Sequence, residues 1–108
     1  MFDFSGKNVL ITGASYGLGE QFAKDFAQAG ANLVVTARGE DQLKEVAKSC
    51  ESFGSRVVAV PGDVSNEQDV DRVISKGIKE LGHIDVLINN AGIADPRGVS
   101  PEQYDSET

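Results

Sequence analysis

Four short, continuously apolar runs alternate along the chain with three longer stretches whose apolar residues recur every three or four positions. The first run, Lys7 to Thr12, centres on Val9-Leu10-Ile11. It does not alternate apolar with polar, which is the pattern of a parallel strand covered on both faces. Asn32 to Ala37, Arg56 to Val60 and Ile84 to Ile88 read as strands two to four, the third ended by Pro61-Gly62. Helix one is predicted from about Gly17 to Ala29, with Leu18, Phe22 and Phe26 four apart in one apolar stripe and Gly30 closing it. Helix two runs over Glu40 to Ser52, carries Leu43, Val46, Ala47, Cys50 and Phe53 at helical spacing, and stops at Gly54. Helix three presents Val70, Val73, Ile74, Ile78 and Leu81 on one face, with a capping box of Ser65 and Gln68 before it and Gly82 after it.

The order β-α-β-α-β-α-β with short turns requires a parallel sheet with helical crossovers. Right-handed crossovers then predict strand order 3-2-1-4, the first half of a Rossmann-like, doubly wound α/β fold. Helices one and two are expected on one face and helix three alone on the other. The crevice between strands one and four, where the winding reverses, is the expected ligand site. Ser100-Pro101-Glu102-Gln103 is a well-formed helix start, yet only five residues follow it, to Thr108. Strand four is then an apolar sheet edge without cover on its second face. The expectation is that residues 1–108 form the N-terminal part of a single domain whose remainder lies beyond Thr108; the alternative is a partner chain that supplies the missing edge.

The chemistry gathers first in Thr12-Gly13-Ala14-Ser15-Tyr16-Gly17-Leu18-Gly19, between strand one and helix one. Strand, glycine-rich turn and helix in that order make a phosphate cradle, because the helix N-terminus offers free N–H groups and the positive end of its dipole. Gly13 suits the tight turn, Gly17 lets the backbone approach a ligand, and Gly19 lets the helix pack close to the strand. Glycines also mark ordinary turns. The spacing G-x-x-x-G-x-G, in T-G-A-S-x-G-L-G, resembles the coenzyme loop of the short-chain dehydrogenase/reductase family, with Tyr16 at the variable place. I-D-V-L-I-N-N-A-G, ending Asn89-Asn90-Ala91-Gly92, is similar to the same family's strand-four signature.

Nineteen residues past Gly19 lies Arg38, after strand two, in the region that reads the adenosine ribose of a dinucleotide. The strand ends Thr36-Ala37-Arg38 with no carboxylate, and a guanidinium can fork onto a 2′-phosphate, so NADP is favoured over NAD. An ordinary solvated loop arginine is the plainer reading. Many NADP-preferring members of the family carry a basic residue where this chain has Tyr16, a departure that weakens the NADP reading without reversing it. The resemblance also implies that Asp63 hydrogen-bonds the adenine amino group and that Val64 touches the ring, although Asp63 also suits a turn or a helix cap. It implies that Asn90 ties the central strands together and that Ala91 and Gly92 line the path of the nicotinamide ribose. Gly13, Ser15, Tyr16, Gly17, Leu18 and Gly19 complete the expected coenzyme contacts.

The family's tyrosine, in Y-x-x-x-K on a later helix, finds no match. Tyr16 is followed at that spacing by Glu20 and Tyr104 by Thr108, so the chain holds none of the family's serine, tyrosine or lysine catalytic positions. The resemblance implies an oxidoreductase moving hydride between NADP(H) and a small carbonyl or alcohol substrate, homo-oligomeric at full length. The other reading is a non-catalytic dinucleotide-binding module.

Composition narrows the partners. Seventeen acidic against ten basic side chains leave a net charge of -7, which disfavours nucleic acid and anionic membranes. No apolar run approaches a membrane span or a signal-peptide core, so a cytoplasmic location is expected. The single cysteine, Cys50, reads as a small apolar residue on a helix face. The single histidine, His83, has no neighbouring ligand that suggests a metal.

Overall fold

The computed structural model describes residues 3–15 and 17–90. Its elements are β1 (Asn8–Thr12), α1 (Gly17–Gln28), β2 (Asn32–Thr36), α2 (Glu40–Glu51), β3 (Val57–Ala59), α3 (Glu67–Leu81) and β4 (Val86–Asn89). The four strands form one parallel sheet in the order β3-β2-β1-β4, as the alternating pattern predicts. Val9 faces Leu33 on one side and Val86 on the other, which fixes the register of β2, β1 and β4.

Successive strand residues point to opposite faces. Val9, Ile11, Leu33 and Val35 meet α1 and α2 in the larger core, with Ala23, Ala27, Leu43, Val46 and Cys50. Leu10 and Val34 meet α3 on the other face, with Val60 and Val73, and Leu81 and Ile84 pack at its margin. Fully burying one such Val, Leu or Ile stabilises a fold by about 1.5–3 kcal/mol. The second face is thinly covered: Ile74, Ile78 and Leu87 are 37%, 45% and 59% exposed.

Three expectations need correction. The buried face of α1 is Gly19, Ala23 and Ala27, not the Leu18-Phe22-Phe26 stripe. Leu18 is exposed, while Phe22 and Phe26 flank the core, Phe26 meeting Phe4 edge-on with centroids 4.9 Å apart. The helix lies so close to the sheet that only small residues fit beneath it. Second, α3 is capped by Asn66 rather than Ser65: the Asn66 side chain accepts from the amides of Gln68 (2.9 Å) and Asp69 (3.2 Å). The Ser65 hydroxyl is engaged elsewhere, donating to Asp63 Oδ1 at 2.7 Å. Third, β4 starts at Val86, because Ile84 turns into the smaller core and Asp85 serves a polar belt.

That belt runs across the amino ends of all four strands. The Asn8 amide donates to Asp85 Oδ2 at 2.8 Å, and Asn8 Nδ2 donates to the His83 carbonyl at 2.8 Å. Asn32 Nδ2 donates to Asn8 Oδ1 (3.2 Å), and Asn32 Oδ1 accepts from the Arg56 amide (3.2 Å). His83 Nε2 lies 3.0 Å from Asp85 Oδ2. Asn8 is nearly inaccessible, so its amide groups need these partners.

Candidate functional site

In a parallel sheet every strand ends on the same side, so the loops after β1, β2, β3 and β4 converge at one edge. The loop after β1 begins at Gly13, whose φ of 63° is left-handed backbone that favours glycine. The Ala14 amide donates to the Thr36 carbonyl at 3.1 Å, pinning the loop to the end of β2. Ala14 and Ser15 are buried. Gly17 and Leu18 are exposed at the first turn of α1. A Cβ added at Gly17 would meet nothing within 4 Å among the described residues beyond its chain neighbours.

Gly19 is where the close approach is paid for. A Cβ there would collide with the Gly13 carbonyl and lie 2.6 Å from Asn90 Nδ2. Asn90 Nδ2 donates to that same carbonyl at 3.0 Å. Thr12 Oγ1 reaches Asn89 Oδ1 at 3.1 Å beside it. The loop after β1 and the end of β4 are therefore laced together through two adjacent asparagines.

Arg38 stands exposed one residue past Ala37, after the last residue of β2. The Gly62 amide donates to the Ala37 carbonyl at 3.0 Å, which brings the loop after β3 alongside. Asp63 and Val64 are half-buried there. Asp63 Oδ1 accepts from both the hydroxyl and the amide of Ser65, which hold its carboxyl below the usual range; the Arg38 charge adds to the same effect. Asp63 and Val64 edge a pocket of ≈ 170 Å³ between this loop, α3 and strands β1 and β4, with Leu10, Val73 and Leu87 among its apolar lining. Thr36 also lines it, and its buried Oγ1 has no hydrogen-bond partner among the described residues.

The structure thus brings Gly13, Ser15, Gly17, Leu18, Gly19, Arg38, Asp63, Val64 and Asn90 to one edge of the sheet. Tyr16, Ala91 and Gly92 lie outside the described residues. Sequence reasoning missed Asp69 and Arg72 of α3, which hold the loop after β3 from below. The Asp63 amide donates to Asp69 Oδ2 at 2.9 Å, and Arg72 Nη2 donates to the Pro61 carbonyl at 2.8 Å. The only trace of this in the sequence is an i, i+3 acid–base pair, common on any exposed helix. Among the described residues no cluster of three or more His, Cys, Asp or Glu could hold a metal, and no helix is long and apolar enough to cross a membrane.

The sheet order and the glycine loop between β1 and α1 define the first half of a Rossmann-like, doubly wound domain. Residues 7–107 match the family model described as short chain dehydrogenase. The chain is 48% identical over 90 residues to 11-beta-hydroxysteroid dehydrogenase-like 2 of Arabidopsis thaliana, covering 82% of this chain and 29% of that one. It is 44% identical over 92 residues to 11-beta-hydroxysteroid dehydrogenase of Pinus massoniana, covering 84% and 26%. L-Sorbose reductase of Gluconobacter frateurii, solved with NADPH and L-sorbose, superposes with a TM-score of 0.81 at 38% identity, over 94% of this chain and 40% of that one. The chain belongs to the short chain dehydrogenase family. It spans less than a third of the length of these curated relatives.

Proposed function

We propose that this chain is the coenzyme-binding part of an NADP(H)-dependent oxidoreductase, and that residues 1–108 are the N-terminal portion of one dinucleotide-binding domain. When bound, the coenzyme would supply hydride exchange with a small carbonyl or alcohol substrate. The protein's share here is to bind and orient it. The α1 N-terminus and the uncrowded backbone at Gly17 suit a pyrophosphate. Asp63 and Val64 suit the adenine. Asn90 holds the loop after β1 against β4; the family resemblance gives Ala91 and Gly92 the role of lining the path of the nicotinamide ribose. The serine, tyrosine and lysine that the family uses for proton transfer would come from residues beyond this chain.

The observation that carries the NADP preference is Arg38, exposed at the carboxyl end of β2 with no carboxylate on that strand end. The L-sorbose reductase that superposes on this chain was solved with NADPH, which supports the same reading. A charge-assisted bidentate contact is worth about 1.5–3 kcal/mol, or roughly 10–100-fold in affinity. Arg38→Asp in the complete protein is therefore expected to weaken NADPH binding by about that factor, with far less effect on NADH. Equal loss for both coenzymes, read by titration of coenzyme fluorescence, removes Arg38 as the phosphate reader.

A further inference from the structure

The loop that carries Asp63 and Val64 is gripped by a pair of side chains on α3, Asp69 and Arg72. Asp69, in the first turn, uses both carboxylate oxygens: Oδ2 accepts the Asp63 amide at 2.9 Å, and Oδ1 accepts Arg72 Nη2 at 3.3 Å. The same Arg72 nitrogen donates to the Pro61 carbonyl at 2.8 Å. Gly62 runs directly over the guanidinium, so that a Cβ there would lie 3.3 Å from Arg72 Nη2. Residues 61 to 63 are thus held at both ends by one acid–base pair. The pair is partly exposed, at 31% and 50%, and as an ion pair alone it contributes little to stability. Its effect lies in where it puts the backbone.

We infer that Asp69 and Arg72 are positioning residues for the adenosine end of the coenzyme site. This rests on the coenzyme reading above. Asp63 is anchored on its other side by Ser65, so the carboxylate keeps one oxygen engaged and its orientation depends on the course of the backbone. Removing Asp69 strands the Asp63 amide and releases Arg72 from its bridge. The loop then keeps its Gly62–Ala37 backbone bond to β2 but loses the hold on Asp63, and the adenine contacts loosen while the loop after β1 stays laced to Asn90.

The test uses the complete protein and two probes that report opposite ends of the site, adenosine 5′-diphosphate and reduced nicotinamide mononucleotide, by calorimetric titration. Asp69→Ala and Arg72→Met are each expected to weaken the adenosine probe about 5–10-fold and to leave the nicotinamide probe within about twofold. The double variant should lose no more than Asp69→Ala alone, because the two residues act as one unit. Asp69→Asn keeps an acceptor for the Asp63 amide and should recover part of the loss; it also stands in if the alanine variant does not fold. Adenosine-probe affinity within twofold of wild type, or equal weakening of both probes, overturns the positioning role. A wild-type protein that binds neither probe overturns the coenzyme reading itself, and this role with it.

Discussion

Gly19→Ala tests the packing that builds the site. The added methyl would collide with the Gly13 carbonyl and crowd Asn90 Nδ2 at 2.6 Å, both of them in the Asn90–Gly13 contact. The Gly13 carbonyl is backbone and cannot swing aside, so α1 must move off the sheet. Overpacking of this kind costs about 1–3 kcal/mol. Breaking the Asn90 hydrogen bond in a half-buried site adds about 1 kcal/mol. Replacing a helical glycine by alanine returns roughly 1 kcal/mol through backbone entropy. The net is a destabilisation of about 2 kcal/mol, or a Tm lower by a few degrees. Wild-type protein is the reference, because the open Cβ position at Gly39 is the N-cap of α2, where alanine carries a penalty of its own. Thermal unfolding by circular dichroism, with coenzyme affinity measured in parallel, should separate the variant from wild type. In the background of Asn90→Ala the penalty should shrink, because part of it has already been incurred. A Gly19→Ala protein that melts with wild type and binds coenzyme normally would refute the argument that close approach sets this loop.

Asn66→Ala removes the acceptor for two amides of the first turn of α3 and should lower stability by about 1 kcal/mol in chemical denaturation. Burial pushes the Cys50 thiol up to about 11, so a thiol-specific reagent at neutral pH should modify it only after the protein is unfolded. The same shift means that the unfolded chain loses its thiol proton first, near 9.0, so stability should fall as pH rises from there towards 11. Asp63, Asp69 and Asp85 all have carboxyls held below their ordinary 3.8, the last chiefly by the Asn8 amide. Their contribution is complete above that value and is lost as pH falls through the lower folded values, so a melting profile should be level near about pH 5–6 and decline below about pH 4. Asp85→Asn should flatten that acid limb; an unchanged limb would mean that Asp85 is not among its causes.

The strand order was legible because four apolar runs separated by helical patterns admit few topologies, and the runs centred on Val9-Leu10-Ile11 and Leu33-Val34-Val35 are central strands as expected. The face of α1 was misread because a stripe of Leu18, Phe22 and Phe26 outweighs Gly19, Ala23 and Ala27 on any hydrophobicity scale. What decides is the distance between helix and sheet, which no local pattern records. Ser65 and Asn66 are both good caps, and the choice between them was made by Asp63, which takes the serine. The glycine loop was recognisable in sequence because each glycine answers a backbone need. Asp69 was not, because an acid in a first turn is already explained by the helix dipole. Its tie to the Asp63 amide exists only once α3 is docked.

The belt of Asn8, Asn32, Arg56 and Asp85 has a consequence for how freely the opposite edge can change. A slip of one residue in any strand would send every side chain of that strand to the opposite face of the sheet, into the wrong core. Here the alignment is referenced at the amino ends, by side chains that bond across neighbouring strands, before any of the ligand-facing loops begins. Errors or substitutions in those loops therefore need not propagate back into the sheet. The molecule keeps its datum line on one side and its variation on the other, so that loops can be lengthened, shortened or exchanged while the strands beneath them stay in step.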